Sequence, residues 1–186
     1  MNILCFGDSN TYGYDPRSFF GDRYSACWVD LLGAQTVNAG ENGRRIPTRE
    51  AELSRFLRLL DRHRPVDLVI VMLGTNDLLQ GSTPEAALAM EHFLKQISLA
   101  PARILLTAPP PMKPGAWVPS SELVEASGEL AGAYEAVAAR LGVGFVDAGA
   151  WGIPLAYDGV HFTEAGHEIF AGKMKERIEK LHEQHQ

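Results

Sequence analysis

Short runs of apolar residues alternate along the chain with longer stretches whose apolar residues recur every three or four positions. The short runs are typical of buried β-strands, and the longer stretches are typical of amphipathic helices. One run, VDLVIVML, is apolar without alternation, which indicates a central strand covered on both faces. The strands predicted in this way are Asn2–Phe6, Thr36–Asn38, Asp67–Met72, Arg103–Thr107 and Gly144–Val146.

Four helices are predicted from the same periodicity and from end signals. STPE at 82–85 combines a hydroxyl cap, a proline in the first turn and an early acid, so a helix begins there. SSE at 120–122 begins another, which runs to about Leu141 and ends at Gly142. In the stretch EAELSRFLRLLDRHR, one apolar face is formed by Leu53, Phe56, Leu57 and Leu60. Thr163 caps the last helix, and its predicted core face is Ala165, Ile169, Phe170, Met174, Ile178 and Leu181.

The alternation of strands and helices predicts an α/β protein, with a mostly parallel sheet covered by helices on both faces. Residues 1–186 are predicted to form one domain, since the chain has neither an internal repeat nor a low-complexity linker. The proline-rich segment LLTAPPPMKPG follows the fourth strand and is too short to be a linker. It is either a plain loop or a wall of a binding site.

Composition and charge narrow the classes of function. Hydrophobic residues make up 46% of the chain and charged residues 22%, which is ordinary for a globular protein and argues against disorder. The net charge is −6 without any Lys/Arg block, so neither a nucleic acid nor an anionic membrane is an expected partner. Neither a membrane span nor an export signal is apparent, and a cytoplasmic location is expected. Cys5, in the first strand, and Cys27, at a helix edge, are expected to be free thiols.

Polar residues that could take part in catalysis or ligand binding follow four of the predicted strands. GDSN follows the first, NAGENGRR the second, GTND the third, and a longer loop containing DGVH the fifth. Ligands of open parallel sheets bind beyond the carboxyl ends of the strands, so these segments are expected to meet on one rim.

A serine hydroxyl becomes nucleophilic when a base takes its proton, and a carboxylate holds that base in the correct tautomer. Asp158 and His161 are three residues apart, close enough for the carboxylate to reach Nδ1, and the other ring nitrogen would face Ser9. An acyl oxyanion needs donors placed in advance, which the N–H groups of Ser9 and Gly43 and the amide of Asn76 could supply. Each residue also has a structural explanation, namely turn, helix-entry or capping chemistry. The convergence of four segments favours the catalytic interpretation.

These blocks, GDS, a glycine in NAGENG, GTND and DGVH, resemble in order those of the SGNH hydrolases, also called the GDSL esterase/lipase family. The resemblance spans Gly7 to His161. It implies a three-layer α/β/α flavodoxin-like fold with a five-stranded parallel sheet in the order 2-1-3-4-5. It also implies Ser9 as nucleophile, His161 as general base and acid, Asp158 as its orienting partner, and Ser9, Gly43 and Asn76 as the oxyanion hole. Asn10 stands where the family name has leucine, and the opening ILCFGDSNTYGY is similar to bacterial arylesterases.

Other interpretations of single motifs stay open at this point. A phosphate loop or an FMN site would suit the glycine-flanked turn, but neither explains DGVH or GTND, and no G-K-[ST] follows. His161, His167, His182 and His185 lack the compact spacing of a metal site, and no metal is expected.

Further residues near the predicted rim invite roles of their own. Arg44 and Arg45 are either solvated loop charges or a site for an anionic leaving group such as the phosphates of an acyl-CoA. Trp117 and Trp151 either line an acyl or aryl pocket or belong to the core. Asp77 and Asp147 are expected to act as capping or network residues.

The sequence thus predicts a serine esterase that acts on a small-molecule carboxylic ester without a cofactor, and short acyl chains are favoured. An acyl-CoA thioesterase and a carbohydrate O-acetylesterase are alternatives that would use the same triad. A flavodoxin-like binding module is the non-enzymatic alternative. A homo-oligomer is a further expectation.

Overall fold

A computed structural model describes residues 1–183 of the chain. A parallel five-stranded sheet in the order β2-β1-β3-β4-β5 forms its centre. The strands are β1 (Ile3–Gly7), β2 (Thr36–Gly40), β3 (Leu68–Met72), β4 (Ile104–Ala108) and β5 (Gly144–Asp147). The helices are α1 (Ser9–Tyr12), α2 (Trp28–Leu32), α3 (Glu50–Arg62), α4 (Thr75–Leu78), α5 (Thr83–Lys95), α6 (Ser121–Leu141) and α7 (Glu164–Glu183). The predicted fold class and strand order are confirmed.

Alternate residues of the strands face opposite layers of helices. Leu4 and Phe6 of β1 pack in one cluster with side chains of α3, α5 and α6. Ile3 and Cys5 face the other cluster, where Trp28 of α2 and residues of α7 cover the sheet. All five residues of β1 and of β3 are buried, because these strands lie in the interior of the sheet with helices on both sides.

The helix ends follow the predicted capping chemistry. Ser82 caps α5, and the carboxylate of Glu85 accepts the Ser82 N–H at 2.8 Å. The α6 helix ends at Gly142, which has φ 68°. The hydroxyl of Thr163 accepts the N–H of Gly166 at 3.0 Å at the start of α7.

The predicted core face of α7 is wrong at two positions. Ala165 and Ile169 are exposed, whereas the neighbouring Gly166 and His167 are buried. A side chain at Gly166 would come within 2.6 Å of the carbonyl oxygen of Pro154, so the helix packs closely on this glycine. The buried residues of α7 are Gly166, His167, Phe170, Ala171 and Met174, and the predicted Ile178 and Leu181 pack partly buried against the same core cluster.

Cys5 and Cys27 are buried free thiols, as expected. None of the helices within residues 1–183 is both long enough and apolar enough to cross a membrane.

Candidate active site

Ser9 lies in the tight turn that follows β1. The carboxylate of Asp8 caps α1 by accepting the N–H of Asn10 at 3.0 Å. Gly7 makes the turn feasible, because a Cβ there would lie 2.0 Å from Oγ1 of Thr11. The turn therefore holds Ser9 at the carboxyl edge of the sheet, with 7% of the residue exposed.

Side chains from two distant parts of the chain contact one another at this edge. Oγ of Ser9 lies 2.9 Å from Nε2 of His161. Nδ1 of the same imidazole lies 2.7 Å from Oδ2 of Asp158. The structure thus brings the predicted serine, histidine and aspartate into one line, along which a proton can pass from the hydroxyl to the imidazole.

Asp158 is fully buried, and its carboxylate faces Nδ1, the nitrogen of the imidazole that points away from Ser9. Burial opposes its ionisation, but hydrogen bonds from the side chain and the backbone N–H of His161 and from the N–H of Val160 outweigh burial and lower its pKa. Its Oδ1 accepts these two N–H groups at 3.0 and 2.9 Å. An ionised carboxylate in this place stabilises an imidazolium at His161.

The proline-rich segment after β4 supports the loop that carries Asp158. The N–H of Lys113 donates to the carbonyl of Gly159 at 2.9 Å, and the N–H of Trp117 donates to the carbonyl of Asp158 at 3.0 Å. Gly159 has φ 81°, and a Cβ there would lie 2.0 Å from the carbonyl oxygen of Lys113. The close approach therefore requires this glycine, and the segment is more than a plain loop.

Two aromatic rings flank the candidate base. The ring centroid of Tyr14 lies 4.6 Å from that of His161, and the centroid of Trp117 lies 5.1 Å from it. Trp117 is half exposed, so it offers an apolar surface beside the imidazole. Trp151 instead packs edge-on against Phe170 in the core.

Gly43 lies in a turn between Glu41 and Arg44, whose N–H donates to the Glu41 carbonyl at 3.2 Å. Gly43 has φ 72°, a conformation that favours glycine at this position of the turn. Its own N–H has no hydrogen-bond partner among residues 1–183. The side-chain amide of Asn76 donates to the carbonyl of Arg44 at 3.1 Å, so two of the predicted oxyanion donors adjoin the same turn.

Arg44 and Asp77 hold this turn in place. The Arg44 guanidinium donates to the carbonyls of Gly7, at 2.9 Å, and Ala39 and pairs with Glu41 at 2.7 Å. The carboxylate of Asp77 accepts the N–H of Ile46 at 3.2 Å. The Arg44 guanidinium is therefore engaged with backbone carbonyls and with a carboxylate of the protein.

Three other predicted residues have structural contacts. Arg45 is half exposed, and its Nε lies 3.5 Å from Oδ1 of Asp77. Asp77 thus belongs to a network of polar contacts, as expected. The carboxylate of Asp147 accepts the N–H of Gly149 at 2.8 Å, which is a capping contact. Among residues 1–183 no three His, Cys, Asp or Glu side chains are grouped as metal ligands would be, and His185 lies outside the described residues.

Comparison with known families now adds to the geometry. The model of the GDSL-like lipase/acylhydrolase family matches residues 5–169. The chain belongs to this family. As a GDSL-like acylhydrolase it is a carboxylic ester hydrolase, which decides against the flavodoxin-like binding module.

Solved structures similar to this GDSL-like acylhydrolase include two esterases. The aryl esterase of M. smegmatis is 29% identical with a TM-score of 0.79, and the match covers 96% of this chain and 98% of that one. Est24, a carbohydrate acetylesterase from Sinorhizobium meliloti, is 26% identical with a TM-score of 0.82 over the same shares of the two chains. A comparison with curated protein sequences gave no match.

A third solved structure supports the fold alone. It is a member of the lipolytic protein G-D-S-L family from Veillonella parvula, 21% identical to this GDSL-like acylhydrolase with a TM-score of 0.70. The match covers 94% of this chain and 96% of that one.

Sequence reasoning missed Tyr14 and the supporting role of Arg44. The sequence around Tyr14 carries no signal for its contact with His161, because the two residues meet only in the folded chain. From the sequence, Arg44 is predicted only to be a loop charge or part of an anion site. Its carbonyl partners are backbone groups, which a pattern of side chains does not reveal.

Proposed function

We propose that this chain is a serine esterase that hydrolyses small carboxylic esters through an acyl-enzyme intermediate. One observation carries the proposal: Ser9, His161 and Asp158 form an unbroken line with contacts of 2.9 and 2.7 Å. A nucleophile, a base and an orienting carboxylate in such a line are the parts that acyl transfer needs.

In the acylation step, Nε2 of His161 takes the hydroxyl proton of Ser9 as Oγ attacks the carbonyl carbon of the ester. Nδ1–H of the imidazolium donates to Asp158, which stabilises the positive charge. The tetrahedral intermediate collapses as the bond to the alkoxy oxygen breaks. The imidazolium donates the proton taken from Ser9 to that alkoxy oxygen, so the alcohol leaves neutral. Ser9 then carries the acyl group.

The negative oxygen of the intermediate is held by donors that are already in place. Ser9 is the first residue of α1, so its N–H has no partner within the helix. The N–H of Gly43 is also free among the described residues, and Asn76 donates only one of its two amide protons to Arg44. These three groups are the proposed oxyanion hole.

Deacylation repeats the steps with water. His161 takes a proton from the water molecule as it attacks the acyl carbonyl, and then returns that proton to Oγ of Ser9. The products are a carboxylic acid and the regenerated serine, and no cofactor takes part.

The proposed substrates are esters with a short acyl chain or an aryl group. The half-exposed Trp117 and the ring of Tyr14 lie beside His161 and suit a small planar or apolar group. The similarity to the M. smegmatis aryl esterase points the same way. A series of p-nitrophenyl esters from acetate to palmitate tests this preference, and a maximum of kcat/KM at the long chains would contradict it.

A carbohydrate O-acetylesterase is the second candidate, because the chain resembles the carbohydrate acetylesterase Est24 over nearly its full length. It would use the same three side chains on an acetylated sugar hydroxyl. Rates on acetylated xylose, an acyl-CoA and p-nitrophenyl acetate, measured at equal concentrations, separate the sugar, thioester and aryl-ester activities.

The proposed function is tested by replacing the nucleophile. We expect Ser9→Ala to reduce the kcat for p-nitrophenyl acetate by about 10⁴- to 10⁶-fold. Ser98→Ala, at an exposed serine outside the site, is the matched control and should keep wild-type activity. Equal activity of both variants would refute the role of Ser9.

A further inference from the structure

Asn10, the residue next to Ser9, contacts the loop of the candidate base with its side chain. Its Nδ2 donates to the carbonyl of Val160 at 3.1 Å. Its Oδ1 accepts the N–H of Phe162 at 2.9 Å. The two partners are the residues immediately before and after His161.

These two hydrogen bonds hold the backbone of His161 from both sides. A carboxamide has one donor and one acceptor edge, as a peptide group has, so it pairs with the loop as a neighbouring strand would. Asn10 and Phe162 are 4% and 0% exposed, so water does not readily replace either bond. A change at Asn10 is therefore transmitted directly to the position of the imidazole.

The backbone of Asn10 is itself fixed. Its N–H donates to Oδ1 of Asp8 at 3.0 Å, and its carbonyl accepts Nε1–H of Trp28 at 3.0 Å. These main-chain contacts do not depend on which side chain stands at position 10. A substitution there consequently leaves these main-chain contacts in place while it changes the two side-chain bonds.

We propose that Asn10 is a positioning residue that sets the distance between Ser9 and His161 by joining the turn of the nucleophile to the loop of the base. The inference rests on the proposed function of these two residues. Leucine, which the family name has at this place, can make neither bond, so the polar contact seen here requires the asparagine.

Two variants of similar size test the inference. Asn10→Leu removes both hydrogen bonds. Asn10→Asp keeps the acceptor for Phe162 but places an oxygen against the carbonyl of Val160. We expect either variant to reduce kcat for p-nitrophenyl acetate about 10- to 100-fold, with KM changed less than about threefold, because small misplacement of reacting groups costs rate rather than binding.

A second readout follows the nucleophile without an ester substrate. The rate of Ser9 phosphorylation by paraoxon depends on proton transfer to His161, and it should fall by a similar factor. Thr83→Val is the matched control: Thr83 is buried and donates to the carbonyl of Ala126 away from the site. It should lower the melting temperature while leaving kcat and the paraoxon rate unchanged.

If Asn10→Leu does not fold, Asn10→Asp decides on the same two readouts. A folded Asn10 variant with wild-type kcat and paraoxon rate, or with a change in KM alone, would overturn the positioning role. If Ser9→Ala is inactive in the same assays, the proposed function still holds. A wild-type protein inactive on every activated ester would overturn the proposed function and this inference with it.

Discussion

Replacing Asp158 by asparagine changes one atom of the site and tests how the imidazole is oriented. In the wild type, Oδ1 of Asp158 is committed to the N–H groups of Val160 and His161. In Asp158→Asn the amide oxygen takes that place, because only an oxygen can accept two N–H groups. The NH₂ group must then face Nδ1 of His161, where the wild type has Oδ2 at 2.7 Å.

The size of the effect follows from the tautomer. Nδ1 facing an NH₂ group has to accept a hydrogen bond, so the ring proton moves to Nε2. That nitrogen lies 2.9 Å from Oγ of Ser9 and can then no longer take its proton. We expect kcat to fall by about 10⁴-fold, or about 5.5 kcal/mol in the activation barrier, with KM nearly unchanged.

The assay is the hydrolysis of p-nitrophenyl acetate at pH 7 by purified wild type and variant, with circular dichroism to establish that both are folded. Asp147→Asn is the control, since that carboxylate lies at the carboxyl end of β5 but only accepts a neighbouring N–H at 2.8 Å. It should keep wild-type kcat. An Asp158→Asn enzyme that retains more than about a tenth of the wild-type kcat would refute the orienting role of the carboxylate.

Three other substitutions have defined outcomes. Asn76→Ala removes a proposed oxyanion donor, so kcat should fall about 10²- to 10³-fold at similar KM, and an unchanged kcat would contradict that role. Arg44→Ala leaves the carbonyls of Gly7 and Ala39 without their charged donor and should cost about 2–4 kcal/mol in urea unfolding, whereas the exposed Arg49→Ala should cost almost nothing. Burial lowers the pKa of His167 from 6.5 to about 4, so between these values the unfolded chain binds a proton that the folded one does not, and stability is lost as the pH falls. His167→Asn should lose about 3 kcal/mol less than wild type between pH 7 and pH 4, and equal losses would show that this histidine does not titrate as argued.

The sheet could be predicted because its signals are local. The run VDLVIVML, residues 66–73, contains β3, and the capping sequence at 82–85 marks the start of α5 within one residue. The two short helices α1 and α4, of four residues each, were not predicted. Segments of this length carry no periodicity, and their conformation depends on the turn that each strand enters.

The misassigned face of α7 has a physical cause. An analysis of apolar spacing counts Ile169 as a core residue and ignores glycine and histidine. In the structure, Nδ1 of His167 accepts the N–H of Trp28 at 3.3 Å, and Phe170 packs on the Trp28 ring at 4.8 Å between centroids. These contacts with α2 decide which face of α7 is buried against the core. A pattern of apolar spacing does not contain them.

The candidate site illustrates the same division between local and distant information. Ser9, Gly43, Asn76 and His161 could be found because each follows a strand, and the topology of a parallel sheet brings those strand ends together. The side chains that fix their distances could not be found in that way. Asn10 reads as a turn residue until its partners Val160 and Phe162 are seen in three dimensions.

The loop of the base has no regular secondary structure, yet it has to hold the imidazole at hydrogen-bond distance from a hydroxyl, with a tolerance of roughly a few tenths of an ångström. Three sets of hydrogen bonds compensate for the missing helix or strand. The Asp158 carboxylate bonds within the loop, Lys113 of the proline-rich segment and Trp117 just after it bind one side, and Asn10 binds the other. The first set uses the Asp158 carboxylate, which also holds the imidazole, and the second uses main-chain groups, which side-chain substitutions leave in place. The two Asn10 hydrogen bonds join the turn of the nucleophile to the loop of the base through a side chain. A single substitution at Asn10 should therefore disturb the alignment of Ser9 and His161 in a protein that still folds.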